Sequence, residues 1–169
     1  MRFFPQFRVL AAFATLAAFA STAKAAQHAS GGGTYFVEPG VRSQFEFNHA
    51  MVQCKIGHAV LPGDIQFFMF MASTGIGSVS IDSATKTVTI TGSMVSIVVL
   101  RFPDGSSVTL NESVPFTAVG DDNGEPGKGV DTFSLKVTYT ATAGFDQADL
   151  FGTSATFAGT LDTGNVVVR

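Results

Sequence analysis

With 13 Asp+Glu against 10 Lys+Arg in 169 residues, the chain carries a formal net charge of −3 and offers no basic footprint for nucleic acid or anionic lipid. Its only cysteine, Cys54, excludes an internal disulfide, so any fold must be held by its core. No tryptophan and only Tyr35 and Tyr139 stand beside the phenylalanines, which argues against a carbohydrate module built on stacking rings.

The chain opens on a targeting pattern. Arg2 and Arg8 form a positive start, Val9 to Ala20 an apolar run, and Ala23 and Ala25 the small residues of a signal-peptidase site. The apolar run is shorter than the ~20 residues a spanning helix needs. Residues 1–25 are therefore expected to be a cleaved signal peptide, and the protein to be secreted, periplasmic or extracellular, with no stable membrane anchor. Loss of Arg2, Arg8 and Lys24 leaves 144 residues with 7 Lys+Arg against 13 Asp+Glu, a charge of −6.

Residues 26–33, "AQHASGGG", look like a flexible leader, and 34–169 like one domain. Within it runs a period of two. "RSQFEFNHAMV" alternates Phe45, Phe47, His49 and Met51 with Gln44, Glu46 and Asn48. "KTVTITG" does the same with Val88 and Ile90, and "DTFSLKVTYT" with Phe133, Leu135, Val137 and Tyr139. "SATFAGTLD" and "NVVVR" complete the pattern. "IQFFMFM" (Ile65 to Met71) and "MVSIVVLRF" (Met94 to Phe102) are apolar at every position and read as central strands covered on both faces. "EPG", "LPGD", "STGIG", "DSAT" and "PDGSS" supply turn signals, the last a hairpin connection. No window carries a convincing helical stripe. The expected fold is all-β: a single antiparallel β-sandwich of eight or nine strands, immunoglobulin-like or jelly-roll-like.

Four stretches in order carry a family resemblance: "GGGTYFVEPG", "FEFN", "DDNGEPGKGVDTFSL" and "AGTLDTGNVVV". With them the chain resembles the small secreted bacterial β-sandwich domain called post-COAP, which can follow a choice-of-anchor domain. The resemblance implies fold and compartment and no catalysis. The chain departs from it in standing alone behind its own signal and in a longer "VVLRFPDGSSVTLNESVPFTAVG" segment.

The most suggestive chemistry lies in Gly120 to Phe133, which gathers Asp121, Asp122, Asn123, Glu125 and Asp131. These are the candidate ligands of a weak calcium site, since calcium takes six to eight oxygens. Asp121, Asn123 and Glu125 stand at positions 1, 3 and 5 of an EF-hand-like loop. Pro126 then replaces the glycine at position 6, and Thr132 the glutamate at position 12. Asp and Asn bonding their own backbone around Gly124, Gly127 and Gly129 account for the same residues, and a polar turn is the preferred reading.

Elsewhere the signals are thin. His49, Cys54 and His58 lack a tight pair for zinc. Cys54 reads as a buried, inert small hydrophobe. No G-x-S-x-G elbow occurs, and the histidines after the leader, His28, His49 and His58, have no evident nucleophile, so no catalytic residue and no cofactor are expected. "NES" (Asn111 to Ser113) fits a glycosylation acceptor. The function this supports is a secreted, non-catalytic structural or binding module for an unknown extracellular protein or surface ligand. An assembly subunit pairing through strand edges is the alternative, and an unrecognised hydrolase the third.

Overall fold

A computed structural model describes residues 27–169; the signal-peptide reading lies outside them. The described chain forms β1 (Ala29–Glu38), β2 (Val41–Asn48), β3 (Met51–Leu61), β4 (Ile65–Asp82), β5 (Thr87–Arg101), β6 (Ser107–Asp121), β7 (Thr132–Thr138), the short helix α1 (Gln147–Phe151) and β8 (Ser154–Val168). Each strand pairs antiparallel with its sequence neighbour, and β8 returns to pair with β1, so one sheet closes into an eight-strand barrel.

The expected sandwich is thereby corrected. Period-two alternation tells only that one face of each strand is buried, and both architectures satisfy it. The deciding contact is the pairing of Ala29 through Tyr35 with Val168 through Leu161, near the two ends of the described chain. It also corrects the leader: Ala29 to Gly33 are strand residues. The glycines there allow close approach. A Cβ on Gly33 would sit 2.0 Å from the Thr163 carbonyl oxygen, so only glycine lets β1 meet β8 at this point.

Turn signals behave as expected at Pro39–Gly40, Pro62–Asp64, Ser83–Lys86 and Phe102–Ser106, the last closed by a Gly105 N–H to Phe102 carbonyl bond of 3.0 Å. "STGIG" does not turn. It lies inside β4, whose register against β5 shifts between Ser73 and Gly75 and again between Ile76 and Ser78. Glycines in a strand mark bulges as readily as turns, and the continuing partner strand selects the bulge here.

The barrel interior is filled by side chains. Phe133 is 1% exposed and stacks on Phe45 at 4.1 Å and 12°, with Phe47 and Tyr35 rings about it. Ile56, Met69, Met71, Ile90, Met94, Val98, Leu100, Leu135, Val137 and Val166 continue the core. Cys54 is buried among them, its Sγ 3.2 Å from Ser43 Oγ and 3.8 Å from the Tyr35 hydroxyl, and burial pushes its thiol up. Most outward positions are polar, for example Gln44, Glu46, Thr89, Thr117, Ser134 and Lys136. That polarity is opposite to a transmembrane barrel, which carries its apolar band outside. Among the described residues no helix is long and apolar enough to cross a membrane.

The two all-apolar strands differ most from expectation. Phe67, Met69 and Met71 of β4 and Met94, Val98 and Leu100 of β5 point inward, while Phe68, Phe70, Val95, Ile97 and Val99 point out. No second sheet covers that outer face. Phe70 is 42% exposed.

Candidate functional site at the barrel mouth and the acidic loop

The two ends of the barrel are finished differently. At the end where β1 meets β2 and β3 meets β4, the chain between β7 and β8 folds over the opening as α1. Asp146 caps this helix: its side chain accepts from the Asp149 N–H, and the Asp149 carboxylate accepts from the Asp146 N–H at 3.0 Å. Such reciprocal bonds fix a helix start even in five residues. The spacing Asp146-x-x-Asp149 is the sequence signal for it, overlooked because no apolar stripe follows.

Gln147, fully buried, ties α1 to the wall. Its Nε2 donates to the Ser96 carbonyl at 2.8 Å and to the Leu110 carbonyl at 3.3 Å. Its Oε1 accepts from Ser96 Oγ at 2.6 Å, and its backbone N–H donates to Glu112 Oε1 at 2.7 Å. Beside this cluster Tyr139 is buried, and burial pushes its hydroxyl up to about 12, Ser96 opposing and the Glu112 carboxylate adding to the rise. Its hydroxyl oxygen meets no hydrogen-bond partner among the described residues.

Between α1 and the two hairpin ends lies a cavity of about 650 Å³. Val37, Val41, Ile56, Ala59, Leu61 and Phe67 line the wall side, and Leu150, Phe151 and Phe157 the helix side. Exposed Glu38, Pro39, His58 and Val60 form its rim. Phe151 is the partition between cavity and core, 5.8 Å from the Tyr139 ring and 6.1 Å from Phe67. Pockets for small molecules are typically about 300–1,000 Å³ and mostly apolar, with a few polar groups at defined places. This mouth has both properties.

The opposite end carries the acidic loop. β7 stops pairing with β8 at Thr160, leaving the rest of that β8 edge open. The loop takes over its donors. The Leu161 N–H donates to the Asp131 carbonyl at 2.9 Å, and the Gly129 N–H to the Leu161 carbonyl at 2.7 Å. Further along, the Val166 N–H donates to Asp131 Oδ2 at 2.7 Å and the Val168 N–H to Asp122 Oδ2 at 3.2 Å. Asp131 Oδ1 accepts the Asn123 N–H at 2.9 Å. Two carboxylates thus stand in for a missing strand, two residues apart along β8, because alternate N–H groups point to the same edge.

The remaining candidate ligands serve other donors. Asp121 accepts the hydroxyls of Thr87 at 2.8 Å and Thr132 at 2.6 Å, and Glu125 accepts both bonds of Asn165 Nδ2. Asn123 Nδ2 donates to the Val130 carbonyl. Among the described residues no three His, Cys, Asp or Glu side chains come together as metal ligands. Gly127, at φ +76°, has Asn165 Oδ1 and Asp131 Oδ2 where a Cβ would be. The loop accordingly needs glycine there for both conformation and space.

These donors predict the calcium response. Millimolar calcium should give no more rise in melting temperature than magnesium at equal ionic strength, since site occupancy would have to displace backbone N–H groups from Asp131 and Asp122. A calcium-specific rise of several degrees that vanishes in Asp121→Ala would establish a cage.

The histidines do not converge. His49 lies in the exposed β2–β3 turn rather than on the strand, and its ring meets that of His28 at 6.1 Å. His58 belongs to β3, not to a loop, with its ring 5.5 Å from Phe68 on the outer face. Cys54 is inside the barrel, apart from both exposed rings.

No match exists among known proteins. Family models, curated proteins and solved structures all return nothing for this chain. The mouth and the loop must therefore be read from their own geometry.

Proposed function

We propose that this protein is an exported, non-catalytic binding module, and that its ligand is a small apolar molecule held in the barrel mouth beneath α1. The observation that carries the reading is the apolar cavity of about 650 Å³ closed on one side by Leu150 and Phe151. The packed interior has no room for a ligand deeper in, so the mouth is where one would sit. Export is supported by the n-, h- and c-region pattern of residues 1–25 and by the resemblance to a secreted domain. Binding without chemistry is supported by the rim, where no histidine of the described residues shares a hydrogen bond with a serine, cysteine or carboxylate side chain.

The test uses a dye whose fluorescence rises in apolar surroundings, anilinonaphthalene sulfonate, titrated into the protein. Ala59 faces the cavity opposite Phe67, so Ala59→Phe should fill the site and weaken dye binding at least about tenfold. Phe70→Lys, on the outer wall, should leave it unchanged. Binding untouched by Ala59→Phe, or abolished by Phe70→Lys, removes the mouth as the site.

A further inference from the structure

The outer face of β4 and β5 presents Phe68 beside Val99, Phe70 beside Ile97 and Ala72 beside Val95, three apolar pairs in successive rows. Polar residues frame them. Lys55 of β3 flanks Phe70, Asn111 of β6 flanks Ile97, and Gln66 and Arg101 close the upper row. The Arg101 guanidinium lies 5.3 Å above the Phe68 ring. Outward positions of this face carry no carboxylate, although acids outnumber bases in the chain. Neither Lys55 nor Arg101 makes an ion pair among the described residues, where Arg42–Asp162 is the one present. A contiguous exposed apolar patch rimmed by polar groups marks an interaction surface.

We propose that this wall binds a second copy of the same chain. Its occupant follows from self-complementarity. A two-fold axis along the strands, between β4 and β5, exchanges the two strands of the wall. Each Phe70 then faces the mate's Ile97 and each Phe68 its Val99, an aromatic ring against a β-branched side chain. Lys55 faces Asn111 of the mate, Arg101 faces Gln66 and Gln53 faces Ser113, so every cation meets an amide oxygen and none meets a cation. An isologous interface requires this property, one patch that complements itself. A net-negative partner surface of another kind would leave the amide and hydroxyl positions without a role.

The size sets the strength. Four strands at about 4.8 Å and four rows at about 6.8 Å give roughly 500 Å² per copy, at the small end of specific interfaces. Association is therefore reversible and concentration-dependent.

Sedimentation velocity on the exported protein, from about 5 μM to about 500 μM, should show a monomer–dimer equilibrium. Phe70→Lys and Ile97→Lys should each weaken it at least about tenfold, with unchanged circular dichroism and melting temperature. Arrangement is tested by mixing Phe70→Cys with Ile97→Cys. Oxidation should cross-link the mixture faster than either variant alone, the buried Cys54 taking no part. The proposal is overturned by a monomer throughout the range, by a dimer indifferent to both lysine variants, or by equal cross-linking of the separate Cys variants. A monomer that instead co-sediments with phosphatidylcholine vesicles through Phe70 assigns the wall to lipid and equally overturns it.

Discussion

Asp131→Ala should destabilise the protein by about 3 to 5 kcal/mol, because each buried N–H left without a partner costs about 1 to 3 kcal/mol. Asp131 is 0% exposed, and its two oxygens hold the Asn123 and Val166 N–H groups, one in the loop and one on the β8 edge. Alanine orphans both and frees the loop from the last strand. Asp131→Asn keeps one acceptor and turns an amide N–H toward the other donor, so it should fall between wild type and alanine. Asp121→Ala is the control. Its carboxylate meets two threonine hydroxyls at a half-buried position, and loss of those bonds should cost no more than about 2 kcal/mol. Denaturant midpoints measure all three. A loss for Asp131→Ala no larger than for Asp121→Ala would mean that the carboxylate is not the closure of the β8 edge. The acidic loop would then have to be read by its charge, and the calcium titration would become the more informative measurement.

Phe133→Ala should cost a similar amount, about 3 to 5 kcal/mol, for a different reason. The ring is packed between Phe45, Phe47 and Tyr35 inside the barrel, and its removal leaves a cavity that a closed sheet cannot collapse to fill. Phe70→Ala, identical in chemistry but on the outer wall, should stay within about 1 kcal/mol in the monomer. The contrast between these two phenylalanines tests the barrel itself. In a two-sheet sandwich with β4 central, Phe70 would be covered and both changes would be severe. Comparable losses at both positions would argue against the single closed sheet.

Much of this was legible in the residues. Alternation at Phe45–Phe47, Val88–Ile90 and Phe133–Val137 assigns strands and inward faces, because a pleated strand puts successive side chains on opposite sides. Proline and glycine placed most of the turns, and the Asp, Asn and Gly content of residues 120–133 announced a self-bonded loop. Closure was not legible. Sandwich and barrel share the same alternation, and the choice between them rests on β1 meeting β8 across almost the whole described chain. Local sequence carries no record of a contact at that separation. The same limit governs the sites. Whether "IQFFMFM" and "MVSIVVLRF" have two covered faces or one depends on whether a second sheet exists. The mouth cavity is assembled from β1, β2, β3, β4, α1 and β8, each contributing residues that look like ordinary core in isolation. Asp122 and Asp131 likewise show their acidity in the sequence, but their role is set by an open strand edge that exists only once β7 ends short of β8. Residue type determined which chemistry was available to this protein; the closing of one sheet on itself decided where that chemistry is used, since it alone fixes which faces and edges are left without a partner.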